Sequence, residues 1–461
     1  MSDTFCALPW IQASIKPSGM MTTCCVMSPL TKTGKPVNRE TQKKIDAGDL
    51  PFSRLWWENQ ENTYICGEDS IFDIVNSKLL KEVRLSMLNG EKHKACGTCW
   101  HREHYSKGKI SVRVRVNHRW KKKFNIDMAK EMTNDDGSIP TDNIKSIELR
   151  FGNHCNLKCV MCHPGHSDFW YDDWKKLSEK KTFWTDDGSD NNSFLFGGLY
   201  YDMNDLAPFH WYRTDKFIQD FTKIHKNLQE VYWAGGEPLL CKEHVYILNM
   251  LIKSDVSKNI QLRYDSNITY LPEDLLDKWK KFNYVSVQAS VDDVGIKNDY
   301  IRYPSQWAHI EKNLKRLDAF GNEIAHSGTT MSCYNLLSFL DFPRWAKKNM
   351  SKHFWEVMHF KHVIAPFHLS PRILPRNVKE KALQIMDNYL ANEAPPKDTL
   401  HYIKVDMFRR YLKIELDFFN DEFYKGFIQH TKNLDEIRPL KFKDCFPELY
   451  EMIKEDYEQL H

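Results

Sequence analysis

Apolar positions in the middle of the chain, from about residue 145 to 370, follow two different periods. Six short segments have the apolar runs or two-residue alternation of β-strands, namely residues 144–151, 228–234, 261–266, 284–291, 329–333 and 357–364. Residues 244–252, 273–281 and 306–320 between them repeat apolar positions with the helical period. Because strands that alternate with helices form parallel sheets, the pattern predicts an α/β fold, a partial (β/α)6 barrel.

The two ends of the chain differ from this middle region. Residues 1–125 are turn-rich and carry cysteine groups, and they end in a basic run from Lys107 to Lys123. Residues 376–461 have a helical and charged pattern. We therefore expect a small N-terminal domain (1–125), a barrel domain (140–375) and a helical C-terminal region (376–461). An aromatic-rich insertion at residues 167–213 interrupts the barrel domain.

The overall composition favours an ordinary globular protein of the cytoplasm. The 461 residues have a formal net charge of +3, and no run approaches the roughly 20 apolar residues that span a bilayer. The N-terminus lacks the pattern of a secretory signal. Because the basic run lies on a nearly neutral chain, it indicates a solvated face, and neither nucleic acid nor membrane is an expected partner.

Three of the twelve cysteines lie on one short segment, where Cys155, Cys159 and Cys162 have the spacing C-x3-C-x2-C. Three thiolates can bind three irons of a [4Fe–4S] cluster, which leaves the fourth iron open to another ligand. His166 extends the segment to C-x3-C-x2-C-x3-H, so a Cys3His zinc site is an alternative from spacing alone.

This cysteine segment, directly after a predicted strand, resembles the signature of the radical S-adenosylmethionine (SAM) superfamily. Downstream motifs extend the resemblance. Gly235, Gly236, Glu237 and Pro238 are similar to the GGEP motif of the family, and Ser290 with Arg302 resembles its fourth-strand motif. The resemblance implies a catalytic [4Fe–4S] cluster on Cys155, Cys159 and Cys162, with SAM bound at the open iron.

The same resemblance implies a role for each SAM-binding residue. Gly235 to Pro238, with the Glu237 carboxylate, are expected to bind the methionine amino group, and Ser290 and Arg302 its carboxylate. Asn267 lies where the family contacts the ribose, and the backbone of Met161 lies where it meets adenine.

A second resemblance involves the N-terminal cysteines. Cys6, Gly19 and Cys24 fit C-x(9–15)-G-x4-C, and a later C-x2-C pair consists of Cys96 and Cys99. The pattern resembles the Twitch domain, the short form of the SPASM domain, although that domain usually follows the barrel. It implies an auxiliary [4Fe–4S] cluster on these four cysteines, with Cys25 and Cys66 as possible substitutes. A structural zinc site on the same cysteines is the alternative.

Together these resemblances imply a radical SAM enzyme of the oxidoreductase or transferase type. It would cleave SAM reductively to a 5′-deoxyadenosyl radical, which abstracts hydrogen from a peptide or protein substrate, for net oxidation or crosslinking. The family implies a reductant such as flavodoxin or ferredoxin. Two alternatives stay open: the same chemistry on a small polar metabolite, such as a sugar or alcohol, and a zinc-stabilised nucleic-acid-binding protein.

Overall fold

The computed structural model describes most of the chain, in ranges separated by gaps of which residues 28–63 are the longest. These ranges are residues 4–27, 64–105, 111–180, 193–196, 199–205, 207–321 and 325–460. No helix in these ranges is long and apolar enough to cross a membrane. The chain divides into two compact units. The first consists of Met1–Asn153, Leu195–Leu262 and Lys281–Asn283, and the second of His154–Phe194, Arg263–Lys280 and Tyr284–His461.

The bounds of the strands and helices are as follows. In chain order the strands are β1 (Gln12–Ile15), β2 (Met21–Thr22), β3 (Ser146–Arg150), β4 (Ser193–Phe196), β5 (Leu199–Asp202), β6 (Glu230–Ala234), β7 (Gln261–Ser266), β8 (Tyr284–Ser290), β9 (Ala325–Met331) and β10 (His359–His362). The α-helices are α1 (Leu8–Ile11), α2 (Ile71–Val75), α3 (Lys78–Leu88), α4 (Gly97–Tyr105), α5 (Val112–Trp120), α6 (Ile126–Met132), α7 (Tyr171–Glu179), α8 (Asp215–Ile224), α9 (Lys242–Lys253), α10 (Glu273–Trp279), α11 (Gly295–Ile301), α12 (Trp307–Phe320), α13 (Asp341–Asn349), α14 (Lys352–Glu356), α15 (Arg376–Asn392), α16 (Leu400–Ile414), α17 (Asp421–Ile437), α18 (Phe442–Cys445) and α19 (Pro447–Gln459).

The first unit contains a sheet with the strand order β6-β3-β1-β2. β3 pairs in parallel with both β6 and β1, and β2 pairs antiparallel with β1. Because side chains alternate across a strand, Ile147 and Leu149 of β3 lie on one face with Val231 and Trp233 of β6, and all four are buried. Phe151, just after β3, packs edge-on against Trp233, with ring centroids 5.2 Å apart, on this apolar side.

The strand β1 is an element that the sequence pattern does not predict. It comes from the N-terminal region, and its register places Ser14 opposite Glu148 of β3. Its four residues, Gln-Ala-Ser-Ile, alternate in polarity, but a segment this short with two small side chains gives only a weak strand signal. The pairing with β3, rather than the local sequence, therefore fixes this strand.

The second unit contains β8, β9 and β10, of which β9 lies in the middle and pairs in parallel with both neighbours. Every other residue of β8 is buried, as its sequence Tyr-Val-Ser-Val-Gln-Ala-Ser predicts. Helices α15 to α19 make up the C-terminal region. Two of its helices begin with side-chain caps, since Thr399 accepts a hydrogen bond from the amide of Tyr402, and Asn420 from that of Phe423.

The predicted fold class is confirmed. β1, β3 and β6 pair in parallel in the first unit, and β8, β9 and β10 do so in the second. Helices lie between these strands along the chain, and the C-terminal region is helical. The proposed limits of three domains stay a prediction. Part of the predicted aromatic insertion lies outside the described residues, as do the first residues of the basic run from Lys107 to Lys123.

Candidate active site

The cysteine segment of the second unit is held by backbone hydrogen bonds. The amide of Lys158 donates to the carbonyl of Tyr303 at 2.7 Å, and the amide of Val160 donates to that of Ile301 at 2.8 Å. Within the segment, the amide of Cys162 donates to the carbonyl of Cys159 at 2.8 Å, which closes a turn. The three predicted ligands are therefore presented on one loop that is fixed to residues 301–303.

Two thiols of this loop, Cys159 and Cys162, are in contact with each other, and polar side chains place donors at the sulfurs of Cys155 and Cys159. A hydrogen bond from the Cys162 thiol lowers the pKa of Cys159, and the Arg302 guanidinium lowers it further, with Nη1 4.0 Å from Sγ. The same hydrogen bond raises the pKa of Cys162. Nδ2 of Asn267 lies 3.7 Å from Sγ of Cys155. Donors to sulfur stabilise thiolates and tune iron–sulfur clusters, so the donor set fits the predicted [4Fe–4S] group.

Arg302 is fixed by a buried carboxylate. Its Nε lies 2.8 Å from Oδ2 of Asp292, which is fully buried. Asp292 is held in turn, because its Oδ1 accepts a hydrogen bond from the amide of Thr330 at 2.7 Å and its carbonyl accepts one from Nδ2 of Asn335 at 2.8 Å. The predicted role of Arg302 toward a carboxylate thus applies to its Nη atoms, since Nε already faces Asp292.

Asn267 belongs to a small polar network beside Cys155. Its Nδ2 donates to Oδ1 of Asn156 at 3.0 Å, and its Oδ1 accepts from the amide of Thr269 at 2.9 Å. Asn156 Nδ2 donates to the Thr269 hydroxyl at 2.9 Å. Between these residues Ile268 has a φ of +50°, which is rare for a β-branched residue and typical of functional sites. Sequence reasoning missed Asn156, Ile268 and Thr269, because nothing in their residue types or spacing identifies them.

Met161 and Ser290 also belong to the second unit. Met161 lies between Cys159 and Cys162 and is partly exposed. Ser290 ends β8 opposite Gly328 of β9, two residues before Asp292. Their proposed contacts with adenine and with the methionine carboxylate stay predictions.

The predicted GGEP motif, Gly235 to Pro238, directly follows β6 in the first unit. Gly235 and Gly236 have φ values of +76° and +50°, which glycine adopts readily. A Cβ on Gly235 would lie 2.6 Å from Cβ of Arg150 and 2.9 Å from its Cα. Glu237 is buried, and its Oε1 accepts a hydrogen bond from the amide of Leu239 at 3.1 Å. The motif is therefore a sterically demanding turn, and its role toward the methionine amino group stays a prediction.

The four N-terminal cysteines line one cavity of the first unit. Cys6, Cys24, Cys96 and Cys99 surround it together with mostly apolar side chains, among them Leu8, Met27, Met87 and Val112. Neither Cys25 nor Cys66 is among the described residues that line this cavity. The structure thus brings together the four cysteines predicted for the auxiliary site and leaves out both possible substitutes.

The thiols of this cavity favour a bound cation. Burial raises the pKa of Cys6 to about 12, with Cys99 adding to it. Burial also raises the pKa of Cys24 and Cys96, and the neighbouring cysteines raise both further. No group of three or more described His, Cys, Asp or Glu side chains is spaced as ligands of a single metal ion. Because thiolates are stable there only when positive charge compensates them, the four thiols are chemically suited to an iron–sulfur cluster, for which a single-ion spacing is not required.

Comparison with known families identifies the part of the chain that contains the cysteine loop. Residues 149–335 match the family described as the Radical SAM superfamily. This part of the chain is therefore similar to a radical SAM domain. The match includes Cys155, Cys159, Cys162 and the predicted SAM-binding residues, and it supports the predicted cofactors of this domain, a [4Fe–4S] cluster and SAM. It favours the cluster over the zinc alternative with His166.

Two solved structures with bound S-adenosylmethionine (AdoMet) show some similarity to the chain. Native anSMEcpe with bound AdoMet and the Cp18Cys peptide shares 13% identity over 54% of this chain and 60% of that one, with a TM-score of 0.33. Streptococcus suis SuiB bound to S-adenosylmethionine shares 11% identity over 68% of this chain and 64% of that one, with a TM-score of 0.32. The chain thus spans about three fifths of the length of the first of these. A comparison with curated proteins gives no match.

Proposed function

We propose that this protein is a radical SAM enzyme that abstracts hydrogen from a peptide or protein substrate, for net oxidation or crosslinking. One observation carries the proposal: within the matched domain, Cys159 and Cys162 are in hydrogen-bond contact, and Asn267 and Arg302 place donors at the sulfurs of Cys155 and Cys159. Such donors tune the sulfurs of a redox cluster, and the match to the Radical SAM family favours that cluster over zinc.

When bound, the [4Fe–4S] cluster and SAM supply one-electron cleavage of SAM to methionine and a 5′-deoxyadenosyl radical. The residues of the chain hold and orient these groups. Cys155, Cys159 and Cys162 ligate three irons. The Nη atoms of Arg302, fixed through Asp292, supply positive charge beside the cysteine loop for the methionine carboxylate. Glu237, Ser290, Asn267 and the backbone of Met161 complete the proposed contacts.

The auxiliary site would accept the electron that the substrate radical loses. Hydrogen transfer to the 5′-deoxyadenosyl radical yields 5′-deoxyadenosine and a substrate radical. Loss of one electron and one proton then gives an oxidised product. We propose that a [4Fe–4S] cluster on Cys6, Cys24, Cys96 and Cys99 accepts that electron, because four thiolates would leave no iron of it open to SAM.

The second substrate class, a small polar metabolite such as a sugar or an alcohol, stays the alternative proposal. Experiment must separate it from the peptide proposal.

A low-potential donor such as flavodoxin or ferredoxin would supply the first electron. We place the reaction in the cytoplasm, where such donors and reduced thiols are available. The zinc-stabilised nucleic-acid-binding alternative loses some support, because two arginines of the basic run are engaged in ion pairs with glutamates of the chain. Arg113 pairs with Glu103 at 2.5 Å and Arg119 with Glu230 at 3.1 Å.

The experiment that tests this function counts iron and follows its response to SAM. Anaerobically reconstituted wild type should hold about eight irons per chain, and Cys155→Ala/Cys159→Ala/Cys162→Ala about four. Adding SAM to the reduced protein should change the electron paramagnetic resonance spectrum of wild type and leave that of the triple variant unchanged. Zinc in place of iron, or a SAM response that survives in the triple variant, would contradict the proposal.

The substrate class can be tested with the same preparation. Cell extract is separated by size into a peptide and protein fraction and a small-molecule fraction, and each is added to reduced wild type with SAM. We expect the peptide fraction to increase the yield of 5′-deoxyadenosine. An increase with the small-molecule fraction alone would select the alternative.

A further inference from the structure

The C-terminal helices, for which the sequence suggests no role, reach the cysteine loop within the second unit. Arg438, directly after α17, has Nε 2.9 Å from Oδ2 of Asp173. Lys158, the residue before Cys159, has Nζ 2.7 Å from Oδ1 of the same carboxylate. The side chains of Arg438 and Asp173 are only 3% and 4% exposed. A buried carboxylate therefore joins the end of α17 to the loop that carries the predicted ligands.

Arg438 also contacts the two aromatic residues that fix this loop. Its guanidinium carbon lies 4.6 Å from the ring centroid of Trp170 and 5.1 Å from that of Tyr303. Trp170 Nε1 donates to the carbonyl of Cys159 at 3.1 Å, and the Tyr303 carbonyl accepts from the amide of Lys158 at 2.7 Å. Through these neighbours Arg438 constrains the backbone on both sides of the peptide bond between Lys158 and Cys159.

A second contact ties the same helix to the residues that precede Arg302. Oδ1 of Asp435, in α17, accepts a hydrogen bond from the Tyr300 hydroxyl at 2.9 Å. Asp435 also accepts from the amide of Phe442 at the start of α18. Tyr300 packs edge-on against Phe446, with ring centroids 5.6 Å apart. The C-terminal helices thus contact both the cysteine loop and α11, the helix directly before Arg302.

We infer that Arg438 is a positioning residue for the catalytic cluster, and that the C-terminal region maintains the ligand geometry through Arg438, Asp173 and Lys158. The inference rests on the proposed function. A planar guanidinium suits this place, because it pairs with a carboxylate and stacks on aromatic rings at the same time. Lysine retains the charge but cannot reproduce both contacts.

The test compares Arg438→Met and Arg438→Lys with the control Arg410→Met. Arg410 is an exposed arginine of α16 that pairs with Asp406, so its loss leaves the cysteine loop untouched. Circular dichroism and thermal unfolding first establish that each variant is folded. The readout is the rate at which an iron chelator abolishes the electron paramagnetic resonance signal that changes on addition of SAM. Because the auxiliary cluster does not bind SAM, this signal reports on the catalytic cluster alone.

We expect this signal to be lost 10- to 100-fold faster in Arg438→Met than in wild type, roughly the range seen when a residue that orients metal ligands is removed. Arg438→Lys should fall between the two, and Arg410→Met should match wild type. If folded Arg438→Met loses its signal at the wild-type rate, the inference about Arg438 is overturned and the proposed function is unaffected. If Arg438→Met does not fold, the same comparison is made with Arg438→Lys, and loss of its signal at the wild-type rate overturns the inference. Wild type without a SAM-responsive signal would contradict the proposed function instead.

Discussion

At the scale of single residues, Gly235 shows how closely two backbones approach in the turn after β6. Its φ of +76° disfavours any residue with a Cβ, and Arg150 fills the space that a Cβ would occupy. Gly90 has nearly the same φ, +78°, but no atom lies within 4 Å of the position where its Cβ would be. Substitution of Gly90 therefore tests backbone strain alone, whereas substitution of Gly235 tests strain together with steric overlap.

We predict that Gly90→Ala lowers the free energy of unfolding by about 1 kcal/mol, through its left-handed backbone alone. Gly235→Ala should cost about 1–3 kcal/mol more, because Arg150 and its backbone must move. Denaturant unfolding of wild type, Gly90→Ala and Gly235→Ala measures these differences in the free energy of unfolding. Equal losses in both variants would mean that the turn after β6 is not packed as described.

Residue types reveal ligands better than they reveal the residues that support them. Cysteines at fixed spacing have few roles in a reduced compartment, so Cys155 and Cys96 could be predicted as ligands from the sequence. Asn156, Thr269 and Asp173 are ordinary polar residues. Their function arises only from contacts across more than ten residues of chain, which no local pattern encodes.

At the scale of secondary-structure elements, α16 is held to its neighbours by a buried neutral histidine. Nδ1 of His401 donates to the carbonyl of Trp355 at 2.7 Å, and Nε2 accepts from the Tyr389 hydroxyl at 3.0 Å. Burial lowers the pKa of His401 to about 4. In the unfolded chain His401 binds a proton as pH falls below about 6.5, whereas in the folded chain it stays neutral until lower pH.

We predict an acid-dependent loss of stability that originates at this helix. The contribution of neutral His401 to the free energy of unfolding is fully present above pH 6.5. It is lost as pH falls toward the folded pKa of His401, about 4. Between pH 6 and 4.5, wild type should lose about 1.4 kcal/mol per pH unit more than His401→Gln. Urea unfolding across this range measures both slopes, and parallel slopes would show that His401 is not buried in its neutral form.

Most elements of the barrel domain could be predicted, because their burial is periodic. The prediction for residues 261–266 agrees with β7, and that for 306–320 with α12 within one residue. β9 was predicted only from residue 329, although it begins at Ala325. Its first residues, Ala-His-Ser-Gly, are small or polar and give no strand pattern, so pairing with β8 defines that half.

At the scale of the whole molecule, each cysteine group lies within one compact unit. Cys6, Cys24, Cys96 and Cys99 belong to the first unit, and Cys155, Cys159 and Cys162 to the second. The units are not contiguous in sequence, since residues 195–262 belong with the N-terminal region. A change in sequence texture can predict only contiguous domains, so this division could not be inferred from the chain alone.

The account as a whole rests on SAM cleavage at the cluster of Cys155, Cys159 and Cys162. The most direct test is anaerobic: wild type, Cys159→Ala and the control Cys445→Ala, which alters a buried cysteine outside both groups, are reduced with dithionite in the presence of SAM. Mass spectrometry then measures 5′-deoxyadenosine. We predict that wild type and Cys445→Ala form it and that Cys159→Ala does not. Equal formation by Cys159→Ala, or an iron-loaded wild type that does not bind SAM, would contradict the account.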